Sequence, residues 1–259
     1  MKILSNNPII AARELHSMLG WTNPADFTLE EIANNLGIIV KNLPIIGSDG
    51  RILIKGDTGI ITLNSAITHQ GKRNFITGHE IGHFILHKNL TPFFSDTHKT
   101  LSEWHKKGIQ EQQANEFAEE LLMPESLFKS KVTKKRLDIV LIEDVSTYFK
   151  VSITATFLRY IKLGCFPLMV VFMEDRKVKW KQCSDDFPFT FLPYESAVPA
   201  NTVAGDYFYH NGLETKPEKV NAIDWFPEDF QIKYKIDWKL WEQCYRVSDK
   251  GLISCLWTY

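Results

Sequence analysis

The sequence predicts an α+β protein in three parts: an N-terminal domain over residues 1–128, a small helical extension over 129–164 and a β-rich domain over 165–259. Three observations lead there. A His-Glu-x-x-His string at 79–83 stands between a hairpin pattern and a later amphipathic helix, so one sheet and several helices share the first part. Residues 138–149 and 153–163 carry helical periodicity about a short Val151-Ser152 turn. Beyond Phe166 the chain changes to short apolar and aromatic runs punctuated by prolines, the texture of strands.

A chain of 259 residues holds one large domain or two small ones with ample core. Its formal charge of -1 argues against an overall electrostatic footprint for nucleic acid, although a local basic patch stays open. The first residues lack the apolar segment of a signal peptide, and the longest uncharged apolar run, 165–173, is far too short for a bilayer. Cys165, Cys183, Cys244 and Cys255 show no C-x-x-C spacing, which favours reduced thiols over a disulfide framework or a cysteine metal site. A cytoplasmic protein without a membrane partner is therefore expected.

Taken in order, residues 9–19 have apolar side chains at helical spacing. Thr28 and Glu31 form a capping-box pattern for the next helix, with Phe27 placed to staple onto Ile32, and Gly37 stops it. Residues 38–40 then leave as a strand. Segments 51–55 and 59–64 flank Gly56-Asp57-Thr58 as a hairpin, read either as an ordinary core hairpin or as an edge that accepts an extended peptide.

Gly71 to Phe75 open the next helix, which carries the His-Glu-x-x-His string. His79 and His83, four apart, share a helix face and can hold one metal ion, while Glu80 is offset enough to serve a metal-bound water without being a ligand. Gly78 and Gly82 make a smooth stripe for close approach of another helix. His87 lies about 12 Å of helix rise beyond His79, too far to join both histidines on one ion, so a supporting or structural role is expected. Leu86 and Asn89 rule out the metzincin extension.

The third ligand must come from downstream, among His98, Glu103, His105, Glu111, Glu116, Glu119 and Glu120. On a helix over 109–123, Glu111 falls within the apolar arc, Glu116 and Glu120 point away, and Glu119 sits to one side. A carboxylate on a core-facing stripe needs a cation, and a metal ion provides one. His98 and His105 lie in a polar loop. Asn115, one turn past Glu111, is placed to orient a ligand by a hydrogen bond.

Together, R-N-F-I-T-G-H-E-I-G-H-F-I-L-H at 73–87 and E-Q-Q-A-N-E-F-A-E-E-L-L-M-P at 111–124 resemble the ImmA/IrrE family of zinc metallopeptidases. The resemblance implies a zincin-like, gluzincin-type domain over 1–128, with Zn2+ held by His79, His83 and Glu111 and with Glu80 as general base. It further implies an endopeptidase whose protein substrate is an Xre-like helix-turn-helix repressor, in a mobile element or stress response. Gly78 departs from the family's more frequent alanine.

Residues 129–164 are locally basic and look like a helix-turn-helix. DNA binding is one reading, and a helical extension without nucleic acid is preferred because no set of base-reading side chains stands out. Strands are expected at 168–173, 178–182, 187–192, 207–210, 220–226 and 252–259, with Asn211-Gly212 as a turn. Similar two-domain family members carry a sensory, sometimes GAF-like, domain in this place. The rival reading of the whole chain is a zinc-containing regulator that sequesters a partner without cutting it.

Overall fold

A computed structural model of the chain describes residues 3, 5–90, 93–96, 108–164, 166–212 and 216–258. The chain divides into two compact units, 1–128 with 147–152 and 129–146 with 153–259.

In the first unit, helix α1 (Pro8–Leu19) starts where the Asn7 side chain accepts the Ile10 N–H and ends at Gly20, whose φ of 64° is left-handed. Helix α2 (Leu29–Asn35) carries the expected capping box: Glu31 N donates to Thr28 Oγ1 at 3.2 Å, and Thr28 N donates to a Glu31 carboxylate oxygen at 2.7 Å. Gly37, at φ 80°, turns the chain into strand β1 (Ile38–Leu43).

Strands β2 (Gly50–Lys55) and β3 (Thr58–Asn64) form the hairpin, with Lys55 opposite Thr58 across Gly56-Asp57. β1 runs parallel to β3, and β4 (Phe93–Asp96) runs antiparallel to β2, giving the order β1-β3-β2-β4. The hairpin is thus interior to the sheet on both sides. Of the two readings of it, the structure shows the core hairpin, because β4 covers the β2 edge that a peptide would need.

Every second residue of β2 and β3 is buried: Gly50, Ile52 and Ile54, then Gly59, Ile61 and Leu63. These side chains share a core with Ile76, Ile81 and Phe84 of helix α3 (Gln70–His87). Helix α4 (Ile109–Leu122) packs along α3, and α1 packs against α4. That last contact corrects one expectation. Glu120 does not face solvent: it is 2% exposed and its carboxylate meets Arg13 of α1 at 2.7 Å, a partner that periodicity within α4 could not reveal.

The glycines of α3 differ in what they permit. A Cβ on Gly82 would press against the Phe117 ring at 3.1 Å and the Ala114 backbone at 3.2 Å, so only glycine gives this α3–α4 spacing without displacement. A Cβ on Gly78 would meet Ala118 at an ordinary 3.5 Å.

Helices α5 (Glu125–Val132) and α6 (Ile139–Phe149) contain points where the chain passes between units. In the second unit, helix α7 (Ile153–Lys162) precedes strands β5 (Leu168–Glu174) and β6 (Lys177–Cys183). Helix α8 (Val203–His210), strand β7 (Glu218–Asn221) and strands β8 (Lys239–Arg246) and β9 (Gly251–Trp257) follow. The sheet order is β6-β5-β9-β8-β7, and every neighbouring pair is antiparallel.

Three strand expectations fail here. Residues 207–210 are helical, because Thr202 caps α8 by accepting the Gly205 N–H, and Asn211 ends it in a left-handed conformation. Phe187, Phe189 and Leu192 are buried, but 187–192 is not a strand: the Asp229 carboxylate accepts the Thr190 and Phe191 N–H groups that a ladder would otherwise use. Of 220–226, residues 220 and 221 end β7 and Ala222–Trp225 is a helical turn.

Strand β8 escaped notice because its inward position 242 is an acid. Glu242 is fully buried and accepts hydrogen bonds from Val203 N, Ala204 N, Trp225 Nε1 and Ser254 Oγ at 2.8–3.2 Å, which fastens the start of α8 to the sheet. No helix among the described residues is long and apolar enough to cross a membrane.

The two glycines give opposite expectations in urea unfolding. Gly78→Ala should raise stability by up to about 1 kcal/mol through helix propensity, whereas Gly82→Ala should lower it. Equal responses would contradict the packing described.

Candidate metal centre

Helix α3 begins with the His69 ring accepting the Lys72 N–H and continues unbroken to His87. Its middle is inaccessible to solvent: His79 and Glu80 are 0% exposed and His83 is 1%. Helix α4 places Glu111 in its first turn, where the helix dipole favours a carboxylate. The close approach at Gly82 brings this turn to the histidines.

His79 Nε2 and His83 Nε2 lie 2.9 Å apart. Glu111 presents one carboxylate oxygen 3.4 Å from the first and the other 3.2 Å from the second. A tetrahedral ion with bonds of roughly 2.0–2.1 Å separates its ligand atoms by about 3.3 Å, which the two histidine–carboxylate separations match and the 2.9 Å between the rings approaches from below. Together they form a group able to hold a metal ion.

Hydrogen bonds behind the rings fix which nitrogens face the centre. His79 Nδ1 lies 2.8 Å from Asn115 Oδ1, and as Nδ1–H it donates there, leaving the Nε2 lone pair inward. His87 Nε2 lies 3.0 Å from Gln113 Oε1 and donates to it, which makes His87 Nδ1 an acceptor. His83 Nδ1, 3.1 Å from His87 Nδ1, then donates to it and turns its own Nε2 lone pair inward. Two ring lone pairs and a carboxylate therefore converge. Acceptors at these separations repel one another unless a positive centre lies among them.

The electrostatics agree. Burial pushes the His83 imidazole down to about 4, so the ring is neutral at physiological pH. Burial opposes ionisation of Glu111, but His79 and His83 in their Nε2-protonated forms offset it by hydrogen bonding and charge and hold the carboxyl below the usual range, and a cation among the three groups acts in the same direction. A neutral His83 ring and an ionised Glu111 are the forms that bind a metal ion.

Of the residues singled out from sequence, His79, His83 and Glu111 are brought together, and Glu80 follows His79 in the same buried turn. Asn115 and His87 stand behind the rings. Glu116 and Glu119 are half-buried on α4, while Glu120 is taken by Arg13. His98, Glu103 and His105 lie outside the described residues.

Sequence reasoning missed Gln113, because its partner is on another helix and no spacing within one segment points to it. It also missed Gly50. A Cβ on Gly50 would meet Ile76 Cγ2 at 2.3 Å and Glu80 Oε1 at 3.4 Å, so this glycine lets β2 lie against the helix beside the buried acid.

Residues 33–159 match the family model for the IrrE N-terminal-like domain, Peptidase M78. The chain belongs to the ImmA/IrrE family. This is a peptidase family, and the paired histidines and Glu111 of the metal cluster fall within the matched span.

A solved structure of a Mycobacterium tuberculosis transcriptional regulator is similar in fold, with a TM-score of 0.62 and 15% identity over 96% of this chain and 75% of that one. A comparison with curated protein sequences gave no significant match.

Removing the group behind a ligand should loosen the site without unfolding it. Asn115→Ala should weaken divalent metal binding roughly 10–100-fold in chelator competition, with far-UV circular dichroism unchanged. Undiminished affinity would mean that Asn115 does not set the His79 orientation.

Proposed function

We propose that this chain is a zinc-dependent endopeptidase acting on a protein substrate, with His79, His83 and Glu111 as the metal ligands and Glu80 as the general base. The observation that carries the proposal is the meeting of two inward ring lone pairs and one carboxylate beside a wholly buried second acid. The donor set, two imidazoles and a carboxylate, is the one used by gluzincin-type catalytic sites, and the absence of thiolate distinguishes it from a structural cysteine site. A zinc ion held there supplies Lewis acidity, which activates water and polarises the scissile carbonyl.

The chain's own residues do the rest. His79 and His83 keep their orientation through Asn115, His87 and Gln113, so the metal-facing geometry needs no reorganisation. Glu80, on the same rigid helix, takes the proton from the attacking water and returns it to the departing amine. It is wholly buried within the α3 core, away from bulk solvent.

The substrate we favour is a helix-turn-helix repressor of the Xre type. Support comes from the family resemblance and from a structural neighbour that is itself a transcriptional regulator. A cytoplasmic location fits the free thiols of Cys183, Cys244 and Cys255. In this reading residues 129–164 are a helical extension, and 165–259 form a sensory domain that governs the peptidase.

The test uses the zinc-loaded chain and a candidate repressor beside the Glu80→Gln variant. Fragments should appear with the native protein, and Glu80→Gln should cut about 10²–10⁴-fold more slowly while retaining its zinc. Equal inactivation of the repressor by both proteins without fragments would replace cleavage by sequestration.

A further inference from the structure

Trp257, the last residue of β9, lies in register with Leu168 of β5 on one side and Trp241 of β8 on the other. It is 1% exposed, and its indole Nε1–H has no hydrogen-bond partner among the described residues. A buried donor left in that condition costs about 1–3 kcal/mol.

Trp257 also lines a cavity of about 360 Å³ with Lys135, Arg136, Leu137, Tyr160 and Phe166. All six residues belong to the second unit. The volume is at the lower end of the range for small-molecule sites, roughly 300–1,000 Å³, and suits a ligand of one or two rings.

The walls are of two kinds. Leu137, Tyr160, Phe166 and Trp257 offer apolar and aromatic surface. Lys135 and Arg136 supply two positive charges from the segment between α5 and α6, and neither forms an ion pair among the described residues. That segment is shaped by Lys134 in a left-handed conformation at φ 61° and by Lys135 N donating to the Val132 carbonyl at 3.2 Å. The next acid, Asp138, is engaged in capping α6, its carboxylate accepting the Leu141 N–H at 2.9 Å.

We propose that this cavity binds a small aromatic carboxylate. The ring is held by the apolar wall and the acid is attracted by Arg136 and Lys135. The inference rests on the second unit alone and does not depend on the metal reading.

Isothermal titration calorimetry on the full chain tests it with 2-naphthoate, 2-naphthalenemethanol and inorganic phosphate. We expect 2-naphthoate to bind at one site per chain and more tightly than either other probe. The double variant Lys135→Gln/Arg136→Gln, which changes only exposed residues, should weaken it by about tenfold or more. Absence of saturable 2-naphthoate binding, equal affinity in the native chain and the double variant, or phosphate binding as tightly as 2-naphthoate would each overturn the proposal.

Discussion

The first unit depends on how closely α3 and α4 approach. At Gly82 the missing side chain lets the Ala114 backbone and the Phe117 ring lie where a methyl group would otherwise stand. That contact sets the distance between two histidines on one helix and an acid on the other. A wider spacing would draw Glu111 away from the two rings. Packing of small apolar groups thus fixes the geometry of a polar centre.

The hydrogen bonds behind the rings do for orientation what the glycine does for distance. Asn115 serves His79 directly, whereas His83 is served through His87, which is itself held by Gln113. Each contact donates away from the centre, and the consequence is a set of inward lone pairs on two rings that are almost wholly buried. Such a set is unfavourable in isolation and becomes favourable around a cation. The arrangement is costly as bare packing, which is why it reads as a site and not as an accident of the core.

Much of the first unit was legible in the sequence because its signals are local. The Thr28–Glu31 capping box, the left-handed Gly37 and the Gly56-Asp57 hairpin each depend on residues within four positions of one another. The histidine pair is equally local, and Glu111 was reachable because its helix is amphipathic. What remained hidden involves partners distant in the chain. Arg13 neutralises Glu120 across more than a hundred residues, Gln113 reaches His87 from another helix, and Gly50 matters only because β2 lies against Ile76. In the second unit a buried acid disguised β8, and carboxylate acceptors such as Asp229 let the segment holding the buried Phe187, Phe189 and Leu192 do without strand pairing. Strand patterning reports burial there, but not which group satisfies the backbone.

The central claim is that two imidazoles and one carboxylate of this chain hold a single zinc ion. X-ray absorption at the zinc edge, on protein carrying one equivalent of metal, measures that coordination directly. The account predicts a first shell of nitrogen and oxygen at about 2.0–2.2 Å, with imidazole scattering that diminishes in His83→Ala. A sulfur shell near 2.3 Å, or a spectrum indifferent to loss of either histidine, would contradict it.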